Sequence, residues 1–164
     1  MEAANTFIRA LFEHVDTGHA LFWNTPKKWS EWLDLSKFEE GLPALLASID
    51  KKHMSNDIYF GLGISSKNFG TFERGRSEDV IGIVGVWADI DIAGPMHKKK
   101  NLPPSLDAVM EFLAEIPIPP TIITETGGGL HVYWLFREPW MFGTAEERIE
   151  AGIFVERWMK TLQL

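Results

Sequence analysis

The sequence predicts an α+β protein in which helices pack on a mixed or antiparallel sheet. Segments with strand-like apolar runs alternate with segments of helical periodicity, which favours a layered fold. Two β-rich segments, 121–126 and 130–136, flank three consecutive glycines, and this pattern is typical of a β-hairpin. Because a hairpin pairs its strands antiparallel, a doubly wound parallel sheet is not expected.

Each element of this fold has a local signal in the chain. Asn5 is expected to cap the first helix, and Ser36 with Glu39 forms a capping box for the second. Ser105 and Thr144 are expected to open the two later helices. The remaining strands are predicted at 19–25, 57–64 and 80–92, with a polar loop at 65–79 and a basic connection at 93–104.

Length and composition fit one globular domain over residues 1–164, with an N-terminal part at 1–50, core motifs at 55–140 and a final helix at 144–164. Hydrophobic residues make up 45% and charged residues 24% of the chain, which argues against disorder. The absence of cysteine excludes disulfides and fits a cytoplasmic protein. Membrane association is not expected, because no apolar run reaches the length of a span and the N-terminus lacks a signal-peptide pattern.

Charge is unevenly distributed along the chain. The net charge of −7 argues against nucleic acid as a partner, but residues 51–100 hold eight basic and six acidic side chains. This middle segment is therefore where a polyanion is expected to dock. Six of these basic side chains, in the loops before and after the strand at 80–92, are phosphate contacts or, alternatively, an ordinary solvated surface: Lys67, Arg74, Arg76, Lys98, Lys99 and Lys100. The tryptophans are candidates for base stacking or for core packing.

Two aspartates interrupt the apolar pattern of the strongest strand, in the stretch VGVWADIDIAG at 84–94. Side chains alternate faces along a strand, so Asp89 and Asp91 lie on one side, roughly 6–7 Å apart at the backbone. Neighbouring carboxylates repel each other unless a cation lies between them, and oxygen ligands favour Mg²⁺ or Mn²⁺. The alternative is a strand that runs into solvent before the Gly94-Pro95 turn.

A second motif is the stretch TETGGGLHVYW at 124–134. Gly127, Gly128 and Gly129 expose backbone N–H groups that suit phosphate oxygens, and His131 follows two residues later. The alternative is a flexible hairpin loop followed by a half-buried histidine. The motif is not a Walker loop, because no Gly-Lys-Ser/Thr sequence follows and no helix opens there.

Five segments together resemble the primase-polymerase domain of the archaeo-eukaryotic primase superfamily, in the branch found at the N-terminus of phage and plasmid replication proteins. The resemblance covers about residues 55–140 well and the first 50 only loosely. The segments are YFGLGI at 59–64, RGRSEDV at 74–80, VWADIDI at 86–92, NLPPSLDAV at 101–109 and TGGGLHVYWLF at 126–136.

The resemblance implies a core like the RNA-recognition-motif fold and a template-dependent nucleotidyltransferase, a DNA primase or polymerase of a phage, plasmid or other mobile element. Asp89 and Asp91 would bind the catalytic Mg²⁺ or Mn²⁺ ions, and His131 would touch the phosphates of the nucleoside triphosphate. Thr126, the adjoining glycines and Arg76 are further candidates for nucleotide binding. The expected partners are nucleoside triphosphates, a single-stranded DNA template and a helicase domain in the same full-length chain.

Two departures from the family pattern accompany this resemblance. The family often has Ser-x-His, whereas Gly129 lies two residues before His131 and the nearest hydroxyl is that of Thr126, so backbone amides are expected to supply phosphate contacts. A third acidic residue is expected on a later strand, beyond residue 164, which would leave this fragment with an incomplete metal site. The acids after residue 140 are all expected on the last helix: Glu146, Glu147, Glu150 and Glu156.

Two other functions fit parts of the pattern. An origin-nicking relaxase needs a His-x-His metal motif and a helical tyrosine, but the chain has no His-x-His and both tyrosines, Tyr59 and Tyr133, are predicted on strands. A non-catalytic module that binds single-stranded nucleic acid needs no metal. Metal dependence of binding distinguishes this module from the polymerase.

Overall fold

The structure is a computed structural model that describes residues 2–25, 28–53, 57–95 and 101–162. Within these ranges the chain has an α+β fold with four α-helices and one antiparallel sheet of six strands. The helices are α1 (Glu2–Phe12), α2 (Phe38–His53), α3 (Leu106–Glu115) and α4 (Ala145–Thr161). The strands are β1 (His19–Asn24), β2 (Trp29–Asp34), β3 (Tyr59–Ser65), β4 (Val80–Asp91), β5 (Ile122–Glu125) and β6 (Gly129–Met141). The order in the sheet is β2-β1-β3-β4-β6-β5.

The chain divides into two compact units. The first comprises Met1–Val84 and Arg137–Ala151, and the second comprises Gly85–Phe136 and Gly152–Leu164. Long strands β4 and β6 therefore each contribute residues to both units. That residues 1–164 act as one domain stays a prediction.

The first unit is built on strands β1, β2 and β3, which pair antiparallel. Residues alternate along β1: Ala20 and Phe22 are buried, whereas Leu21 and Trp23, each the next residue along, are half-buried on the other face. Helices cover the buried face: Phe7 of α1 packs edge-to-face on Phe60 at 5.2 Å between ring centroids, and α2 packs against β2. The unit thus has one helix-covered face and one open strand face.

Two helix starts in the first unit differ from the sequence expectations. Helix α1 begins at Glu2, and Asn5 lies inside it, where its side chain accepts a hydrogen bond from Arg9 Nε at 2.9 Å. Ser36 does not cap α2: the Asp34 carboxylate accepts the Ser36 backbone N–H at 3.0 Å and starts a short 3₁₀ helix, so α2 begins only at Phe38. Ser36 is not free to cap α2, because it lies inside this 3₁₀ helix and its hydroxyl donates to the Asp34 carboxylate at 2.6 Å.

The second unit has its core between helix α3 and the strands β4 and β6. Val86, Ala88 and Ile90 from β4 pack with alternate residues of β6 and with Val109 and Leu113 of α3. The predicted hairpin is confirmed, with β5 and β6 antiparallel and Thr124 opposite His131. Core packing on this side leaves the other face of these strands open for polar side chains.

The two later helix caps match their sequence signals. Ser105 Oγ accepts the Ala108 N–H at 3.2 Å at the start of α3, and Thr144 Oγ1 accepts the Glu147 N–H at 3.2 Å at the start of α4. Such caps satisfy N–H groups that have no partner inside the helix. Among the described residues, no helix has both the length and the hydropathy that crossing a membrane requires.

Candidate functional site

The end of β4 places its two aspartates on the face away from the core. Val86, Ala88 and Ile90 are buried against α3, so Trp87, Asp89 and Asp91 lie on the opposite side of the strand. Asp89 is exposed and Asp91 is half-buried. The alternation inferred from the sequence therefore holds to the last residue of the strand.

The neighbouring strand β6 presents His131 and Tyr133 in the same way. Leu130, Val132 and Trp134 belong to the core, which leaves His131 and Tyr133 on the other face. Opposed residues of an antiparallel pair share a face, so Thr124 of β5 lies on the side of His131. Its Oγ1 donates a hydrogen bond to the His131 carbonyl oxygen at 3.3 Å.

Two glycines allow β4 and β6 to approach closely enough for these faces to meet. A Cβ on Gly129 would overlap the carbonyl oxygen of Ile90 and lie 3.0 Å from the Cα of Asp91. A Cβ on Gly85 would overlap the Trp134 carbonyl oxygen in the same manner. Close backbone approach is a recognised reason for glycine within a strand.

The result is a contact between an acid and an imidazole. His131 Nε2 lies 3.5 Å from Asp89 Oδ1, which is longer than an ordinary hydrogen bond of about 2.9 Å. The two side chains are 39% and 51% exposed, so a ligand can reach both. A solvent-exposed pair of this kind contributes little to stability. Stability therefore does not explain why the Asp89 and His131 side chains lie in contact.

Aromatic rings hold the imidazole in place. Trp87 meets His131 edge-to-face with 6.1 Å between ring centroids, and Tyr133 meets it edge-to-face at 6.5 Å. Tyr133 itself is only 3% exposed. Two ring contacts restrict the rotation of the imidazole and so orient its nitrogens.

The Tyr133 phenol has a raised pKa. Burial is the main cause, a hydrogen bond with the Thr124 side chain opposes it, and the negative charge of Asp89 raises the pKa further. The phenol consequently stays neutral at physiological pH. Asp89, His131 and Tyr133 are thus electrostatically connected on one strand face.

Both aspartates line one small cleft of about 210 Å³ in the second unit. That volume is below the 300–1,000 Å³ of ordinary small-molecule pockets, but it has room for a cation with its water and a phosphate group. The cleft is lined by Trp87, Ala88, Asp89, Ile90, Asp91, Asn101, Leu102, Pro103, Met159 and Leu162.

The donor set of this cleft suits a divalent cation that keeps part of its hydration. Mg²⁺ is commonly held by one or two carboxylates, with water and substrate phosphates as its remaining ligands. Asp89 and Asp91 provide two carboxylates on one face. Across residues 2–25, 28–53, 57–95 and 101–162, no group of three or more histidine or acidic side chains is arranged to hold a metal ion.

The glycine turn lines a different cleft. Gly127, Gly128 and Gly129 border a space of about 410 Å³ together with the exposed Glu125, and His131 is not among its lining residues. Thr126 closes the turn by donating its N–H to the Gly129 carbonyl at 3.0 Å. The phosphate contacts expected from these amides and the histidine therefore do not fall in one cleft.

Two of the three glycines have structural reasons for being glycine. Gly127 has a φ of +83°, which side-chain-bearing residues rarely adopt, and Gly129 is the point where β4 approaches. The Gly128 carbonyl accepts the Ile92 N–H at 3.0 Å, which ties the turn to the chain after β4. The triple glycine is explained largely by the geometry of the hairpin.

Of the six basic residues predicted to contact phosphates, three lie in the first unit and three lie outside the described residues. Arg76 lies in the first unit, where its guanidinium is 3.4 Å from the Glu78 carboxylate and its backbone N–H donates to Asp79 at 2.7 Å. Lys67 and Arg74 lie in the same unit. Lys98, Lys99 and Lys100 lie outside the described residues.

The acids of the last segment lie on α4, as predicted: Glu146, Glu147, Glu150 and Glu156. Glu156 forms an ion pair with Lys160 at 2.5 Å. Both tyrosines lie on strands, Tyr59 on β3 and Tyr133 on β6, which does not match the helical nucleophile of a relaxase.

Sequence reasoning did not assign a role in the site to Tyr133 or Thr124. A signal for both was present: Tyr133 is two residues after His131 and must share its face, and the hairpin register places Thr124 opposite His131. Strand alternation on β6 and the register of the short loop would have been enough to include them.

No family model, curated protein sequence or solved structure matches this chain.

Proposed function

We propose that this protein is a template-dependent nucleotidyltransferase, a DNA primase or polymerase that uses Mg²⁺ or Mn²⁺. The observation that carries the proposal is the contact of Asp89 with His131 across neighbouring strands, with Asp91 lining the same cleft as Asp89. Carboxylates and an imidazole on an open strand face suit a substrate that brings both phosphates and a metal ion. Nucleoside triphosphates have this chemistry.

In this proposal Asp89 and Asp91 hold the cation and set its distance from the strand. When bound, divalent metal ions activate the attacking 3′-hydroxyl and offset the charge of the departing pyrophosphate. The cleft of about 210 Å³ has room for a phosphate group beside the cation, so most of the nucleotide would extend outside it. The chain contributes positioning and charge rather than a covalent intermediate.

His131 acts as a donor to the triphosphate. Its Nε2 lies 3.5 Å from Asp89 Oδ1, so a phosphate group bound beside Asp89 would be within reach of the imidazole N–H. Trp87 and Tyr133 act as positioning residues, because their rings contact the imidazole ring.

The finer parts of the proposal rest on the resemblance described above. They are an RNA-recognition-motif-like core, a role in replication of a phage, plasmid or other mobile element, a single-stranded DNA template and a helicase domain in the same full-length chain. Thr126 and Gly127 remain candidates for contacts with other parts of the nucleotide, whereas the candidate Arg76 lies in the first unit. The antiparallel sheet with helices is compatible with such a core.

The proposal is tested with the full-length protein, by nucleotide incorporation with Mn²⁺ on a primed single-stranded template. We expect Asp89→Asn and Asp91→Asn each to lower the incorporation rate about 100-fold or more, because even groups behind the metal ligands matter 10- to 100-fold. Glu111→Gln is the matched control: it removes one charge from an exposed position of α3, on the opposite face of the strands. Incorporation that survives the loss of both aspartates would contradict the proposal, as would a wild-type protein that neither incorporates nor binds nucleotide.

A further inference from the structure

A row of aromatic side chains crosses the open strand face of the first unit. Trp23 of β1 lies opposite Tyr59 of β3, and their ring centroids are 5.8 Å apart. Trp32 of β2 is on the same face, two residues from the Ser30 that lies opposite Trp23. The three rings come from three neighbouring strands, so the row runs across the sheet rather than along it.

The loop after β3 adds two cations to this row. The guanidinium carbon of Arg74 lies 3.9 Å from the centroid of the Trp23 ring, and Lys67 Nζ lies 4.9 Å from that of Phe69. Phe69 in turn packs on Trp32 with 5.7 Å between ring centroids. We call Trp23, Trp32, Tyr59, Lys67, Phe69 and Arg74 the aromatic–basic patch.

Backbone and indole hydrogen bonds fix the loop against the strands. Trp32 Nε1 donates to the Gly70 carbonyl at 3.0 Å, and the Ser30 N–H donates to the Thr71 carbonyl at 2.6 Å. The cations are thereby held above the rings without being buried, since Lys67 and Arg74 are exposed. Tyr59 is 46% exposed, an unusual fraction for an aromatic ring on a strand.

We propose that the aromatic–basic patch binds a single strand of nucleic acid. Bases stack on the exposed tyrosine, and the cations beside it pair with the phosphates. A guanidinium stacked on an indole keeps its N–H groups directed outward. There they can contact a phosphate in the plane of the guanidinium. Stacking on aromatic rings beside a basic loop is how many proteins hold single strands without reading their sequence.

Charge favours nucleic acid over a protein partner on this face. Lys67 and Arg74 are exposed, and Glu73 is the one acidic side chain between them, in a chain whose net charge is −7. A cleft lined by Glu31, Asp34 and Glu40, with Lys37 as its one basic residue, lies at the β2 edge, and its net negative charge repels phosphates. The strand is therefore expected to run over Trp23, Tyr59 and Arg74 and to avoid the β2 edge.

The proposal is independent of the metal site, because stacking and phosphate pairing at the patch need no divalent cation. Binding is therefore measured in EDTA, by fluorescence anisotropy of a labelled oligothymidylate of about 12 nucleotides, a length within the range that one binding fold covers. We expect Tyr59→Leu, which keeps bulk but removes the ring, to weaken binding about fivefold or more. Tyr59→Phe keeps the ring and is expected to bind within about twofold of wild type.

Arg74→Ala provides the second readout, at an exposed side chain whose removal does not open the core. It is expected to weaken binding and to lower the salt dependence, by about 0.7 in the logarithmic slope for one lost phosphate contact. Arg157→Ala removes the same charge from an exposed position of α4 and is the matched control.

Two results would overturn the proposal. One is binding by Tyr59→Leu and Arg74→Ala that equals wild type, with thermal melting showing folded protein. The other is competition by a short duplex that equals competition by the single strand, because a duplex offers charge but no free base faces. Weaker binding by both variants, with Arg157→Ala unchanged, supports it.

Discussion

The open strand faces of the two units differ in chemistry although the strands beneath them are built alike. In the first unit the face carries aromatic rings with Lys67 and Arg74 above them. In the second unit it carries Asp89, Asp91 and His131. In both, alternate residues point to a helix-covered core, so alternation decides which side is open but not what stands there. Function is therefore to be sought in the outward positions.

The two faces also differ in how their strands are spaced. At the acid–imidazole face, Gly129 has no room for a Cβ, because the backbone of β4 occupies that space. On β3 of the first unit, a Cβ on Gly61 would meet only one backbone atom, at an ordinary 3.9 Å. The close approach in the second unit is what brings Asp89 to His131, whereas the aromatic row needs no such approach.

Substitution of the crowded glycine is expected to have the largest effect on stability. Gly129→Ala should lower the free energy of unfolding by about 3 kcal/mol, because backbone atoms on both sides cannot move apart as a side chain would. Gly61→Ala is the matched change in the other unit and should alter it by about 1 kcal/mol or less. Urea denaturation of both variants measures the difference. Equal effects would mean that the close approach of β4 and β6 is not a constraint.

The two tyrosines provide a smaller test of the same contrast. Tyr133 is buried and hydrogen-bonded to Thr124, so Tyr133→Phe should lower the free energy of unfolding by about 1 kcal/mol at neutral pH. Tyr59 is 46% exposed, and Tyr59→Phe should leave stability almost unchanged.

Ionisation of Tyr133 is expected to lower the stability of the folded protein at alkaline pH. Its pKa is raised in the folded state, so the folded protein holds the phenol proton more tightly than the unfolded chain does. The stability that this contributes is fully present below the ordinary pKa of 10.0 and is lost as the pH rises through the folded value. Tyr133→Phe should remove this alkaline loss, as measured by denaturation across the alkaline range. An unchanged profile would contradict burial of the phenol.

Much of the fold was predictable because strong local signals agree with the packing. The run at 80–92 and the hairpin around the glycines combine apolar periodicity with turn residues, and both appear as predicted. Strand β2 was not predicted, because Trp-Ser-Glu-Trp-Leu-Asp mixes polar and apolar residues and becomes a strand through pairing with β1. Asp34 rather than Ser36 starts the helical segment through a contact only two residues apart in the chain, which the pattern of Ser36 with Glu39 did not indicate.

The candidate site was predictable in part. Alternation placed Asp89 and Asp91 on one face, and the short distance from the glycines to His131 placed the histidine on the next strand. The register between β4 and β6 could not be read from the sequence. This register brings His131 to Asp89 and leaves the glycine turn lining its own cleft.

The central claim is that the acid pair holds a divalent cation, and Mn²⁺ binding tests it most directly. Electron paramagnetic resonance titration counts the Mn²⁺ bound to the protein, and it is done without nucleotide because a free triphosphate would itself bind Mn²⁺. We expect the double variant Asp89→Asn/Asp91→Asn to weaken Mn²⁺ binding about 10-fold or more, with Glu111→Gln and Tyr59→Leu both equal to wild type. Mn²⁺ affinity that is the same in the double variant and the wild-type protein would contradict the claim.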